Sequence, residues 1–371
     1  MKVSEFSYNL PRELIAQEPL EERDASRLLL VDRGNGAWQD RYFRELPELL
    51  RADDLVIVNN ARVMPVRLLG RRLGLSTGRA GRSAQLDGEF LSAEIEVLLL
   101  REIEPLLWEA LVHPGRKVRI GETLIFGDGE LKASVESHGE FGMRQVRFTC
   151  AGNFKQVVEQ LGHIPLPPYI SRPDAPKDRE RYQTIFASQG IAAAAPTAGL
   201  HFTAGTVSNL KGRGIEVHEI TLEVGLGTFE PIRTEDVEEH AIHTERYNIP
   251  ESTVNAIERA RRGGRRIIAV GTTVVRALED SAARAESRGN NPNGARVEGM
   301  LAGAAEATIY VYPGRPFCVV DGLLTNFHLP QSSLLVMVAA FAGRERILAA
   351  YRHAVEVGYR FYSYGDCMLI S

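Results

Sequence analysis

Residues Arg266 to Ala285 read RIIAVGTTVVRALEDSAARA. Arg266–Val270 has the branched apolar texture of a buried strand, Gly271-Thr272-Thr273 that of a tight turn, and Val274 to about Ala285 that of a helix. A strand feeding a helix through a glycine turn is half of a βαβ crossover, the repeating piece of a layered α/β fold. Working outward, the same alternation recurs. Thr203 is placed to cap a helix ending near Gly212, and Ile215–Leu222 follows as a strand. Ser252 is placed to cap a helix that stops at Gly263 and Gly264. Downstream, Thr308–Val311 and Cys318–Val320 read as strands, and Ser332–Phe341 and Arg344–Val357 as helices split by Gly343. Upstream, Leu55–Val58 is a buried strand. Between Val66 and Asn153 the texture changes to short alternating runs such as Glu94–Leu100, Thr123–Phe126 and Gln145–Phe148, punctuated by glycines. Short strands at close, turn-marked spacing indicate a small antiparallel barrel. The expectation is a three-layer α/β main domain over 1–65 and 153–371, with a β-barrel domain inserted over 66–152. Residues 70–90, rich in Gly, Arg and Ser, are expected to be a mobile loop.

Composition narrows the class. The 371 residues are 44% hydrophobic and 25% charged, ordinary for a globular chain with a well-buried core. The opening MKVSEFSYNLPRELI lacks the apolar centre of a signal peptide, and Leu334–Gly343 is short of the roughly 20 apolar residues that span a bilayer. A cytoplasmic protein with no membrane partner is therefore expected. Cys150, Cys318 and Cys367 form no CxxC pair, which argues against a disulfide framework and a cysteine zinc site. A net charge of -4 excludes wholesale coating of nucleic acid but leaves room for a local basic patch. No lysine falls in the motif runs below, which disfavours Schiff-base chemistry.

Those runs are AAPTAGLHF (Ala194–Phe202), TNFHLP (Thr325–Pro330) and YSYGD (Tyr362–Asp366). Each sets hydroxyl, amide or titratable side chains among Gly, Pro or Ala, where backbone approaches a ligand closely. They read as one pocket assembled from distant loops. His201 and His328 have the imidazole range for proton transfer near neutral pH, although a lone histidine is more often structural. The turn Gly271-Thr272-Thr273 presents free amide groups to an anion, with Arg276 on the first helical turn; a plain capped βα turn is an equal reading. VGLGTFEPI (Val224–Ile232) offers Gly227, Thr228 and Phe229 for backbone lining and stacking, or is a glycine-relaxed strand. Arg23, Asp24 and Arg27 form either a phosphate-binding cluster or a salt-bridged turn, and the residues alone do not decide. His240 and His243, at i, i+3, suit one helix face for a metal, but no further ligand cluster supports them, so no metal is expected.

Taken together, IAQEPLEERDASRLL, LVIVNNARVMPVRLLG, GHIPLPPYI, AAPTAGLHF, VGLGTFEPI, AVGTTVVRALE, VDGLLTNFHLP and YRFYSYGDCMLI resemble the S-adenosylmethionine:tRNA ribosyltransferase-isomerase family of queuosine synthesis. The match runs in family order over nearly the whole chain. Glu223 and Val274 depart from the residues the family commonly has there, and neither is given a role. The resemblance implies that S-adenosylmethionine is consumed as a ribosyl donor rather than used as a recycled cofactor. The implied acceptor is the aminomethyl group of a 7-deazaguanine at the wobble position of a tRNA anticodon stem-loop, and epoxyqueuosine-tRNA, adenine and methionine leave. Such chemistry calls for a base beside the sulfonium and a donor for departing adenine. For that chemistry His201 is the first candidate for proton transfer and His328 the second, with Asp366 to orient a donor or balance the sulfonium charge. Implied substrate contacts are Arg23, Asp24, Arg27, Asn59, Asn60, Arg62, Thr197, Ala198, Gly199, Phe202, Gly227, Thr228, Phe229, Gly271, Thr272, Thr273, Arg276, Asn326, Ser363, Tyr364 and Gly365. A monomer is expected. Two other classes compete: an RNA methyltransferase, which should show an early glycine-rich βα loop absent here, and a non-enzymatic RNA-binding module, which should show a basic face or interleaved aromatics.

Overall fold

The computed structural model describes residues 1–73, 91–139, 142–225, 232–288 and 299–371. Its strands are, in chain order, β1 (Arg27–Val31), β2 (Trp38–Tyr42), β3 (Leu55–Asn59), β4 (Ala61–Val63), β5 (Arg67–Arg72), β6 (Leu91–Glu104), β7 (Leu107–His113), β8 (Thr123–Phe126), β9 (Leu131–His138), β10 (Met143–Cys150), β11 (Gln189–Ala192), β12 (Glu216–Leu222), β13 (Glu245–Ile249), β14 (Ile267–Val270), β15 (Gly303–Ala307), β16 (Gly322–Asn326) and β17 (Cys367–Ile370). The chain divides into two compact units: 1–63, 167–173 and 180–371 form one, and 64–166 with 174–179 the other.

The first unit is built on a nine-stranded mixed sheet in the order β15-β13-β12-β3-β14-β16-β17-β1-β2. Its centre is apolar on both faces because helices cover both: β3, β14, β16 and β17 are buried along their whole length. The two-residue strand period sorts these side chains. Leu55, Ile57, Ile267 and Ala269 enter a core with the helices Glu251–Arg262, Thr272–Arg288, Ser333–Ala342 and Arg344–Glu356. Val56, Val58, Ile268 and Val270 enter a second core with Phe43, Leu46, Phe202 and Leu210. At the far edge β2, WQDRY, is exposed throughout, and its charged side chains suit an unpaired border. β4 and β11 form a separate parallel pair. Among the described residues no helix is long and apolar enough to cross a membrane.

The second unit closes β10-β7-β6-β5-β8-β9 into a six-stranded antiparallel barrel. Alternate residues point inward, as the buried positions of β7, β8 and β9 show. Gly70 is needed where β5 crosses β8, since a Cβ there would stand 2.6 Å from the Phe126 ring and 2.7 Å from the Ile125 carbonyl. The fold class expected from the sequence, an α/β sheet domain together with an antiparallel barrel, is therefore the one found.

Several local expectations hold and several do not. Thr203 caps the helix Ala204–Gly212, its hydroxyl accepting from the Thr206 amide. Ser332 caps the next-to-last helix, which Gly343, at φ 92°, separates from the last. By contrast, the helix expected behind Ser252 begins at Glu251, after Pro250. The helix expected from Val274 begins at Thr272. Thr308–Val311 and Cys318–Val320 are not strands. Their amides are taken instead by carboxylates from the helix Thr272–Arg288: Glu279 accepts from Cys318, Val319 and Val320 at 2.7, 2.9 and 3.0 Å, and Asp280 from Thr308 and Ile309 at 3.0 and 3.3 Å. Backbone donors satisfied by side chains have no need of a ladder. The loop expectation for 70–90 lies largely outside the described residues.

Candidate active site

β14 and β16 are parallel neighbours, so their carboxyl ends open on the same side of the sheet. β17 is antiparallel to β16, which brings the segment just before it to that side as well. Ligand clefts of open α/β sheets form at such ends. Here a cleft of about 680 Å³, counted to its mouth, is lined by Ala195–Ala198, Gly271–Thr273, Thr325–Leu329, Tyr362 and Ser363, with Tyr169, Val224, Ser332 and Leu334. All belong to the nine-stranded unit. Gly271, at φ 95°, turns the chain from β14 into the helix that starts at Thr272, and its amide is held by the Leu324 carbonyl at 2.8 Å. The amino end of that helix therefore lies in the cleft wall, where free amide donors and the helix dipole favour an anionic group.

Of the expected site residues, Thr197, Ala198, Gly271, Thr272, Thr273, Asn326, His328 and Ser363 line this cleft. His201 does not. It lies behind Asn326, in a smaller cleft of about 270 Å³ that also holds Arg23, Ser363, Tyr364 and Gly365. Both its nitrogens are engaged. Asn326 Nδ2 donates to Nε2 at 3.2 Å, which places the ring proton on Nδ1, and Nδ1 donates to Ser26 Oγ at 2.8 Å. Ser26 in turn donates to the Arg23 carbonyl. Burial, with Arg360 and Arg23 nearby, lowers the His201 pKa to about 4. His328, in the main cleft, is paired through Nε2 with Thr325 Oγ1 at 2.8 Å, and burial lowers its pKa to about 3. Both imidazoles are neutral at pH 7, so the expectation of histidines titrating near their ordinary value is corrected: desolvation disfavours the charged ring.

Asp366, expected as a catalytic group, is held by backbone. Its carboxylate accepts from the backbone amides of Arg27 and Arg360, each at 2.8 Å, and it lines none of the clefts described. Burial raises its pKa even against those two donors. Arg27 spends its guanidinium on the Val357 carbonyl, Asp40 and the face of Tyr359. Arg23 donates to the carbonyls of Gln183, Leu200 and Glu180, so it frames the smaller cleft and is already saturated in part. Asp24 shares its 3₁₀ turn but lines none of these clefts.

Other expected contacts serve the scaffold. Asn59 clamps Leu222 and the Ala61 amide, and Asn60 pairs with Glu219 and Thr221, so both tie β3 to β12. Arg62 is exposed on β4. Phe202 is a core ring against Phe43 and Phe186. Gly199 packs closely, since a Cβ there would meet Thr184 at 2.9 Å. Gly365 closes a turn in which a Cβ would stand 2.5 Å from the Arg360 carbonyl oxygen. Arg276 is buried in an ion pair with Glu245 at 2.7 Å and donates to the Ile309 and Ala307 carbonyls. It borders a third cleft, of about 530 Å³, which shares Thr272, Thr273 and Leu334 with the first. Gly227, Thr228 and Phe229 lie outside the described residues. His240 and His243 follow a 3₁₀ turn and are not on a helix, which removes the shared-face argument for a metal. Among the described residues no group of three or more His, Cys, Asp or Glu is arranged to hold one.

Sequence reasoning missed Tyr169 and Tyr362. Their rings stack 4.3 Å apart at 19°, and Tyr169 hydrogen-bonds Ser363 at 2.7 Å. Both stand inside or beside quoted motif runs, but aromatic residues there read as ordinary core. The signal was their place in the quoted runs, Tyr169 directly after Pro167 and Pro168 and Tyr362 at the head of YSYGD.

Residues 3–370 match the family model described as queuosine biosynthesis protein. A relative from Solibacter usitatus, called S-adenosylmethionine:tRNA ribosyltransferase-isomerase, is 50% identical with both chains fully covered. Relatives of the same name from Pelotomaculum thermopropionicum and Desulfitobacterium hafniense are 47% and 46% identical, again over full lengths. A crystal structure of an S-adenosylmethionine tRNA ribosyltransferase from Thermotoga maritima is similar with a TM-score of 0.52 and 35% identity, covering 99% of this chain and 100% of that one.

Proposed function

Since the chain belongs to the queuosine biosynthesis protein family, we infer that it transfers and isomerises the ribosyl portion of S-adenosylmethionine onto a tRNA. The acceptor is the aminomethyl group of 7-aminomethyl-7-deazaguanine at the wobble position. Epoxyqueuosine-tRNA forms, and adenine and methionine are released. The observation that carries the assignment to a place is the cleft at the carboxyl ends of β14 and β16, where six separated chain segments meet. We place the chemistry in the α/β unit, 1–63, 167–173 and 180–371, and not in the barrel unit.

In this reading the donor occupies the main cleft. The amino end of the helix Thr272–Arg288 receives the methionyl carboxylate, with the Thr272 and Thr273 amides as donors. His328, neutral at working pH and on the cleft wall, is the candidate acceptor for the proton beside the sulfonium. His201 acts through Asn326, holding its amide in one orientation, and is a positioning residue. Asp366 fixes the turn that delivers Tyr362 and Ser363. The narrow, mostly apolar cleft keeps water from the opened sugar. The same reading takes the catalyst as a monomer, and a tRNA substrate supports a cytoplasmic one.

The test uses donor labelled in the ribose or in the methyl group, with tRNA bearing the aminomethyl base. Ribose label should enter tRNA while adenine and methionine, the latter carrying all the methyl label, appear in step. Methyl label in RNA, with S-adenosylhomocysteine as product, would make the protein a methyltransferase instead.

A further inference from the structure

Three buried polar atoms on residues of the main cleft have no hydrogen-bond partner: Thr273 Oγ1, Asn326 Oδ1 and the Tyr362 hydroxyl. Buried polar groups are seldom left so, and unpaired ones inside a cleft mark positions that a ligand completes. Two of the three are linked. Asn326 Nδ2 donates to the Tyr362 carbonyl at 3.0 Å as well as to His201, which fixes the amide, because flipping it would set Oδ1 against that carbonyl. Asn326 is left with one free function, an acceptor. Tyr362 has one as well, a phenolic hydroxyl. Tyr362 also sits at φ 71°, a conformation that a bulky residue adopts only when its surroundings impose it. The Asn326 amide and the stacked Tyr169 ring are two of those surroundings.

Resting on the reaction inferred above, we propose that Asn326 and Tyr362 read the edge of the adenine base, and that Tyr362 assists its departure. An acceptor on one cleft residue and a donor on another, the two residues joined through the Asn326 amide and the Tyr362 carbonyl, match in kind the edge of adenine that shows the N6 amine next to N7. Asn326 Oδ1 accepts from the amine, the Tyr362 hydroxyl donates to N7, and the flat Tyr169–Tyr362 stack forms a wall for a planar base. Neither side chain is charged, so the pair suits the purine better than the methionyl carboxylate or ammonium. When the bond from N9 to the sugar carbon breaks, its electron pair passes into the purine, and a hydrogen bond at N7 stabilises that developing charge. Tyr362 keeps its proton, since burial pushes the phenol well above its ordinary range. Of the two protons given up by the attacking amine and by the carbon beside the sulfonium, one ends on adenine and one is released.

The experiment compares wild type and Tyr362→Phe with S-adenosylmethionine and its 7-deaza and 3-deaza analogues, following base release with modified tRNA present. The variant should release adenine about 10²-fold more slowly, the usual scale for one lost donor, while binding S-adenosylmethionine within about tenfold of wild type. The 7-deaza analogue should be slow with wild type and no slower with the variant, whereas the 3-deaza analogue should show the full effect of the substitution. Equal slowing of all three donors, or unchanged adenine release, overturns the proposal. Calorimetry of wild type with free adenine and 7-deazaadenine reads the same contact without turnover and without the variant; equal affinities also overturn it. If wild type transfers methyl groups and releases no base, the reaction assignment fails, and the calorimetry still judges the adenine contact.

Discussion

At the scale of single residues, the cleft depends on groups kept neutral by burial. His201 holds Asn326, and Asn326 holds Tyr362, so one side chain behind the wall orients two that face it. Replacing His201 with Ala should lower turnover about 10²-fold, the cost of misplacing a reacting or orienting group by about 1 Å. Affinity for S-adenosylmethionine should change far less. Steady-state rates and calorimetry together check this, and a variant at wild-type turnover would remove His201 from the mechanism. The same two histidines set a pH dependence of stability. Their folded pKa values, about 4 and about 3, lie below the ordinary 6.5. Between those limits the unfolded chain binds more protons than the folded one, so stability is full above about pH 6.5 and falls as pH drops. Each histidine removes up to about 1.4 kcal/mol per pH unit across its window. Urea unfolding should therefore show a lower midpoint at pH 5 than at pH 7.

At the scale of elements, the βα turn at Gly271 and the helix behind it carry both the cleft and its support. Gly271→Ala forces a side chain onto φ 95° and should cost about 1–3 kcal/mol, with loss of activity ahead of loss of fold because Thr272 and Thr273 move first. Thermal melting beside donor binding separates the two. From the same helix, Glu279 substitutes for a missing strand partner by accepting three consecutive amides. Glu279→Ala leaves buried donors unpaired and should destabilise by about 3 kcal/mol or more, read as a shift in urea midpoint with an unchanged slope. Glu279→Gln, which keeps one acceptor oxygen, should recover part of that loss.

At the scale of the whole molecule, the reaction proposed above carries an expectation for the catalyst, that its two substrates suffice without a metal. Activity should survive exhaustive chelation, and adenine release should require tRNA that carries the aminomethyl base. Loss of activity that zinc restores, or rapid adenine release without tRNA, would count against this. Either result is visible in one chromatographic assay.

The layered class, the barrel and the family could be read in the chain because they rest on local pattern. RIIAVGTTVV carries its strand, turn and helix in its own periodicity, and the alternation in β8 and β9 shows a barrel wall without knowledge of its neighbours. The converging loops were legible too, since Gly271, Asn326 and Ser363 stand in runs whose small and polar residues had no core to serve. What each residue does in that meeting was not. His201 and His328 look alike in sequence, yet Asn326 stands between His201 and the cleft. Asp366 reads as a group to orient a donor or balance the sulfonium charge, and only the fold shows two distant amides, from Arg27 and Arg360, on its carboxylate. Thr308–Val311 has strand composition, but Asp280 takes its amides. Hydrogen-bond partners remote in sequence and the dielectric created by burial exist only once the chain has packed. Most elements and the reaction family were therefore legible in the chain alone, whereas packing settled which polar atoms were consumed in building the scaffold and which stayed unpaired.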